Sequence, residues 1–394
     1  MLPAINMLRV GLQFSTRTGW DIGESRFAAA IRQARRTGRP LIDLTVSNPT
    51  VCGFGYDAET ILAPLRDPRS LVYDPDPRGM RFAREAVAEY YAHHGVAVDP
   101  DAVVLTTSTS EGYGYLFRLL CDAGDEVLVA QPSYPLFDFL ADLEDVRLKP
   151  YPLFYDFGWW IDIAELERRI GPRTRAIVVV HPNNPTGHGT KRAERERLAD
   201  ICERHGLALI VDEVFLDYPL HCADTEELVS FAKGPHPVPT FCLSGLSKIA
   251  GLPQMKVGWI AAFGPEAERK DALGRLEIIA DTFLSMNAPS QFALPQWLGK
   301  RKDIQEQILE RIHRNIITIE TCKLDMLHFE AGWNAIIRLR EMDYAADSLL
   351  SMADVIVHPG SFYGIGERGR IVVSLIVPAE QFSIGMKKIS GVSS

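Results

Sequence analysis

Lys248 lies in Ser244-Gly245-Leu246-Ser247-Lys248-Ile249-Ala250-Gly251, with a second cation, Lys256, eight positions further on. A lysine becomes a nucleophile toward a carbonyl carbon when burial or a neighbouring cation disfavours its ammonium form, and Lys256 would supply such a neighbour. The hydroxyls of Ser244 and Ser247, with Lys256, suit a phosphate. An aldehyde that carries a phosphate and condenses with lysine is pyridoxal 5'-phosphate. The plain alternative is a solvated loop lysine, because hydroxyl- and glycine-rich stretches are ordinary loop chemistry.

Other segments hold the groups that such a cofactor needs. The apolar run Leu207 to Val211 ends in Asp212, a carboxylate at the end of a buried strand. It reads either as a cap or surface ion pair, or as the anion facing a protonated pyridine nitrogen. At about 4 Å that second pair gains on the order of 4 kcal/mol at an intermediate dielectric, against roughly 0 to 1 for an exposed pair. The run Ala176 to Val180 ends in His181-Pro182-Asn183-Asn184-Pro185-Thr186-Gly187, where the stiff turn can aim the Asn184 amide at a phenolic oxygen. Thr107-Ser108-Thr109-Ser110-Glu111-Gly112 follows the run at Leu105 and opens a helix, so Ser108, Thr109 and Ser110 offer hydroxyls and free N–H groups to an anion. Tyr134, between Pro132 and Pro135, can stack its ring on a flat cofactor or serve turn packing.

These groups need a scaffold that delivers strand ends to one place. From Asp101 to Gly264, runs such as Val103 to Leu105, Glu126 to Ala130, Ala176 to Val180, Leu207 to Val211, Thr240 to Leu243 and Val257 to Phe263 alternate with helical stretches, among them Glu111 to Cys121, Lys191 to His205 and Pro265 to Ala280. Runs apolar on both faces predict an α/β fold with a mostly parallel, doubly wound sheet, in which ligands collect outside the carboxyl ends of the strands. Arg26 to Arg36 predicts a helix, and Arg301 to Leu327 a long polar one ahead of short strands at Ala335 to Leu339 and Ile371 to Leu375. The expected organisation is an N-terminal arm and helix over 1–46, a large domain over 47–284 and a smaller α+β domain over 285–394. At 394 residues two domains are the default.

Composition excludes several classes. Hydrophobic residues at 46% and charged residues at 24% describe an ordinary globular chain, and a net charge of -9 argues against non-specific nucleic-acid or anionic-membrane binding. Cys52, Cys121, Cys202, Cys222, Cys242 and Cys322 show no metal-ligand spacing, which predicts reduced, structural thiols and no metal site. Met1 to Gly19 lacks an apolar signal region and no run of 18 apolar residues occurs, so a cytoplasmic protein is expected.

Taken together, the segments from Leu44 to Ser374 resemble the fold-type I pyridoxal-phosphate enzymes, specifically the class I/II aminotransferases related to aspartate aminotransferase. Tyr134, Asn184-Pro185-Thr186-Gly187, Asp212 and Ser247-Lys248 occur in the family's order. The resemblance implies Lys248 as the Schiff-base lysine, Asp212 on the ring nitrogen, Asn184 on the ring oxygen and Tyr134 on the ring face. It also implies a phosphate held by Ser108, Thr109, Ser110, Ser244 and Lys256, and a homodimer in which Tyr73 reaches the partner's phosphate. The implied reaction moves an amino group from an amino acid or related amine to a 2-oxo acid.

Four positions depart from the family pattern. Lys256 stands where arginine is usual, losing the bidentate fork, and Phe215 stands where a tyrosine commonly bonds the ring oxygen. In Arg370-Ile371-Val372-Val373-Ser374, Val372 aligns with the arginine that grips the substrate carboxylate, leaving Arg370 two residues earlier on the same strand face. Ser47-Asn48-Pro49 replaces a glycine-containing turn that contacts the same carboxylate. Arg370, Ser47 and Asn48 are therefore the candidate substrate residues: either Arg370 takes over, or the donor is not held as a standard α-amino acid. A lyase, decarboxylase or oxidase outcome on the same cofactor is an alternative. A cofactor-binding regulatory protein is another, although no basic DNA-binding segment accompanies the fold.

Overall fold

The continuous apolar runs become neighbouring strands of one eight-stranded sheet. The computed structural model describes residues 12–220, 228–339, 342, 344–366 and 368–393; Cys222 and the start of the chain through Gly11 lie outside them. In chain order the first half comprises α1 (Arg26–Arg36), β1 (Ile42–Asp43), α2 (Ala58–Leu62), α3 (Arg81–His93), β2 (Val103–Thr106), α4 (Thr109–Leu120), β3 (Glu126–Gln131) and α5 (Leu136–Leu143). There follow β4 (Arg147–Tyr155), β5 (Trp159–Ile161), α6 (Ile163–Arg168), β6 (Thr174–Val180), α7 (Arg192–His205), β7 (Ala208–Asp212), β8 (Thr240–Gly245), α8 (Leu246–Ile249), β9 (Gly258–Phe263) and α9 (Glu266–Phe283).

The pairs β4–β3, β3–β6, β6–β7 and β7–β8 are parallel, whereas β9 runs antiparallel to both β2 and β8, and β5 antiparallel to β4. Two cores cover the two faces, one holding Ile177, Val179, Leu209 and Val211, the other Ala176, Val178, Ala208 and Ile210. That alternation is the sheet's period of two. Because β9 reverses between β2 and β8, the carboxyl ends of β2, β3, β6, β7 and β8 all lie along one edge.

β4 is not among the expected strands, and Pro150 and Pro152 are unusual inside one. The ladder explains it. The Pro152 carbonyl accepts the Asp162 N–H and the Pro150 carbonyl accepts the Arg169 guanidinium, so both prolines turn their backbone edge away from β3, and the missing N–H groups fall on the side where β5 pairs only from Leu153 onward.

The remaining elements are α10 (Ala288–Gly299), α11 (Arg301–Thr321), β10 (Asp325–Met326), β11 (Asn334–Arg338), α12 (Ala345–Ala353), β12 (Val355–Ile356), β13 (His358–Pro359), β14 (Arg370–Ser374) and α13 (Ala379–Ser393). β10, β11, β14 and β13 form an antiparallel sheet in the order β10-β11-β14-β13, and β1 pairs with β12 in parallel. The polar helix expected to reach Leu327 stops at Thr321. Lys323 takes a left-handed φ of 55° and Asp325–Met326 turn back to pair with β11. Helix α1 lies against α12 through Ala34 and Leu350. No helix among the described residues is long and apolar enough to cross a membrane.

Candidate active site

Lys248 sits in the single turn α8 directly after β8. The buried Tyr218 donates its hydroxyl to the Lys248 carbonyl at 2.6 Å and so fixes the backbone of that turn. The ammonium enters an aromatic corner, 4.8 Å from the ring centroid of Trp333 and 5.6 Å from that of Phe215, whose rings meet edge-on at 5.1 Å. Burial pushes Lys248 down to about 8 while the Asp212 carboxylate pulls it the other way.

Asp212 is the last residue of β7, one strand over, and only 7% exposed. Its Oδ2 accepts the Tyr113 hydroxyl at 3.1 Å and its Oδ1 the Val214 N–H at 3.1 Å. Burial nonetheless pushes it up to about 6, against those two hydrogen bonds and Lys248. For both residues the loss of water outweighs their mutual attraction. A buried carboxylate in that condition suits a fixed cation, and a protonated pyridine nitrogen is one.

Asn184 follows β6 on the next strand end. Its Oδ1 accepts the Asn334 Nδ2–H at 2.8 Å. The turn beneath it is closed by Asn183, which accepts the Thr186 hydroxyl at 2.8 Å, and by Gly187 at φ 64°, where a Cβ would lie 2.6 Å from the Ala331 carbonyl oxygen. Gly187 also accepts the N–H groups of Glu330 and Ala331, so this turn is stitched to the segment leading into β11.

The anion end is the start of α4. Ser108 is the N-cap, accepting the Glu111 N–H at 3.2 Å, and the N–H groups of Thr109 and Ser110 begin the first turn, where no intrahelical acceptor exists. The Glu111 carboxylate turns back to Thr107 and Ser285. A Cβ on Gly258 would stand 2.8 Å from the Ser108 carbonyl carbon and 3.0 Å from the Thr109 nitrogen, so glycine lets β9 begin flush against this helix start. These donors fit a phosphate.

Other expected residues are placed less directly. A Cβ on Gly112 would meet Leu243 at 2.6 Å, so Leu243 faces α4, and alternation turns Ser244 to the opposite face of β8. Its hydroxyl is fully buried and makes no hydrogen bond among the described residues. Lys256 is exposed, in a left-handed conformation at φ 53° just before β9. Tyr134 is 46% exposed beyond the end of β3, where Ser133 donates its N–H to the Tyr363 carbonyl. Tyr73 is 81% exposed in an irregular stretch beside Leu71 and Val72.

On the substrate side, the register of β11 and β14 sets Asn334 opposite Ser374, Ile336 opposite Val372 and Arg338 opposite Arg370. Val372 is buried in the core, and Arg370 starts four residues along from the pair nearest Asn184, roughly 13 Å at the rise of an extended strand. Ser47 and Asn48 follow Leu44, whose carbonyl accepts the Ser374 N–H, and the Asn48 side chain is spent on Thr50.

Tyr113, Tyr218, Trp333 and Asn334 were not found by sequence reasoning. Tyr113 had a signal, one helical turn beyond Thr109 on the apolar face of α4; Trp333 and Asn334 had none near the strand-end motifs.

A model for aminotransferases of class I and II matches residues 58–387. The glutamate-pyruvate aminotransferase AlaA of Escherichia coli is 29% identical over 282 residues, 71% of this chain and 69% of that protein. The arginine–pyruvate transaminase AruH of Pseudomonas aeruginosa is 28% identical over 330 residues, 80% and 81% of the two chains. Among solved structures, an alanine aminotransferase from Pyrococcus furiosus has a TM-score of 0.86 at 23% identity, covering 97% of this chain and 99% of that one. An aspartate aminotransferase from Thermotoga maritima has 0.83 at 21% identity, covering 96% and 99%. With the family match running through the strand that carries Asp212 and the turn that carries Lys248, the chain belongs to the class I and II aminotransferases.

Proposed function

We propose that this aminotransferase holds pyridoxal 5'-phosphate on Lys248 and transfers an amino group from an amino acid or related amine to a 2-oxo acid. The observation that carries the reading is the buried Asp212 facing Lys248 at adjacent strand ends, a carboxylate that burial disfavours and a pyridinium would stabilise. When bound, the cofactor supplies an electron sink for a carbanion on the substrate. The chain's own residues do the rest. Asp212 keeps the ring nitrogen protonated, Asn184 donates to the ring oxygen, and Tyr134 covers the ring face. Ser108, Thr109, Ser110 and Lys256 hold the phosphate; Ser247 is the hydroxyl of its segment assigned to it, because Ser244 is turned to the other face. Lys248, with its basicity tuned to about 8, carries the proton from the substrate α-carbon on Nζ. Trp333 and Phe215 keep water from that nitrogen.

Pyruvate recurs in the names of the relatives, which supports a small 2-oxo acid as acceptor. For the donor, the buried Val372 and the four-residue offset of Arg370 from the Asn334–Ser374 pair favour recognition without the usual arginine. Amino-donor screening tests this: Arg370→Ala should leave kinetics with α-amino acids within about twofold, the range of a residue outside the site. A selective rise in KM for carboxylate-bearing donors would return Arg370 to the site.

The exposed Leu71, Val72 and Tyr73 support a homodimer in which Tyr73 completes the partner's phosphate site. The five described cysteines are all free, which supports a cytoplasmic location.

The central test is spectroscopic. Purified protein loaded with the cofactor should show a visible absorbance band that Lys248→Ala abolishes, and a 2-oxo acid should form stoichiometrically with the aminated acceptor. Absence of the band from fully loaded wild type would sink the assignment, and release of ammonia or carbon dioxide would point to the lyase, oxidase or decarboxylase alternatives.

A further inference from the structure

The Asn184 amide has a donor end and an acceptor end, and its neighbours decide which one faces the cofactor. Its Oδ1 is occupied by the Asn334 Nδ2–H at 2.8 Å, which turns the carbonyl toward β11 and leaves the NH2 group for the strand ends where Asp212 and Lys248 converge. Asn334 is well placed for this. It is 7% exposed, it opens β11, and the ladder holds it opposite Ser374. The preceding residue, Trp333, is anchored on the other side by its edge contact with Phe215. The Asn184 turn is itself bonded to the same segment through the Gly187 carbonyl, so the two asparagines cannot drift apart independently. Phe215, whose ring lies 5.6 Å from the Lys248 ammonium, offers no hydroxyl.

We propose that Asn334 is a positioning residue that locks the Asn184 amide with its NH2 toward the cofactor's ring oxygen, and so helps set the acidity of the lysine-linked nitrogen. The proposal rests on the cofactor assignment above. A donor on the ring oxygen draws off negative charge that would otherwise hold a proton on that nitrogen; without it the proton stays to higher pH.

The test is the pH midpoint of the visible band in cofactor-loaded protein. Asn334→Asp keeps the shape but can only accept, forcing Asn184 to turn its NH2 away and its carbonyl to the ring. Its midpoint should rise by about 0.7 of a pH unit or more, the equivalent of one hydrogen bond. Asn334→Ala, which adds no charge, should give a smaller rise in the same direction and covers the case in which the buried aspartate does not fold. In an Asn184→Ala background Asn334→Ala should not shift the midpoint further, and Asn334→Asp should shift it less than in the wild-type background. Equal shifts with and without Asn184 would overturn the proposal, as would an unchanged midpoint in both single variants. If wild type has no band at all, the cofactor assignment fails first.

Discussion

At the level of single residues, the chemistry turns on two groups that burial holds away from their ordinary ionisation. Asp212 at about 6 and Lys248 at about 8 are both shifted toward neutrality, so each is poised to change charge near neutral pH. Tyr113 restrains the Asp212 shift by donating to Oδ2. Tyr113→Phe should push the Asp212 pKa higher still and weaken cofactor binding about fivefold, the worth of one hydrogen bond near 1 kcal/mol, with little change in fold. Spectroscopic titration with the cofactor measures it, and an unaltered affinity would remove Tyr113 from the site. Phe215→Tyr is the complementary change. A hydroxyl there would stand where the family's tyrosine bonds the ring oxygen and should lower the pH midpoint of the visible band.

Among the elements, the junction of α4 with β9 carries the proposed phosphate site. Gly258 is required by contact with backbone, which cannot rotate away: a Cβ would stand 2.8 Å from the Ser108 carbonyl carbon. Gly258→Ala should therefore cost about 1–3 kcal/mol of stability, as overpacking does, and raise the cofactor dissociation constant by displacing Thr109 and Ser110. Gly274, inside α9 with nothing within 4 Å of its would-be Cβ, is the control. Gly274→Ala should stabilise by roughly 0.5–1 kcal/mol and leave cofactor binding alone. Thermal unfolding and titration of both variants distinguish a local steric demand from a general intolerance of alanine.

For the whole molecule, the buried pair links stability to pH. From 3.8 to about 6 the folded, cofactor-free chain keeps a proton on Asp212 that the unfolded chain has released, so stability falls as pH rises through that interval. From about 8 to 10.5 the folded chain has released a Lys248 proton that the unfolded chain retains, so stability recovers as pH rises. Each limb amounts to on the order of 3 kcal/mol. The pair thus contributes a trough between about pH 6 and pH 8, visible as a minimum in denaturant midpoint and flattened in an Asp212→Asn, Lys248→Met double variant. Persistence of the full trough in that variant would assign it elsewhere. Assembly has its own measurement. Mixing Lys248→Ala chains with Tyr73→Ala chains should restore part of the lost activity, because a hybrid dimer contains one site with both residues intact.

Lys248, Asp212, Asn184 and Tyr134 stand out as candidates in the chain because each closes or follows an apolar run, and a strand end is a local property of the sequence. The scaffold was legible for the same reason, down to α1 at Arg26–Arg36. Tertiary structure alone could decide the rest. Tyr113 meets Asp212 across 99 residues and Asn334 meets Asn184 across 150, separations over which no periodicity carries information. Ser244 was recognised as a hydroxyl near the lysine, but the face it occupies depends on the register of β8 against its neighbours. Arg370 was read as sharing a strand face with Val372, but that it stands opposite Arg338, four residues from the Asn334–Ser374 pair, was set by the pairing of β11 with β14. Residue type and local pattern determine which chemistry a chain carries; strand register and the packing of one sheet against another determine which of those groups meet.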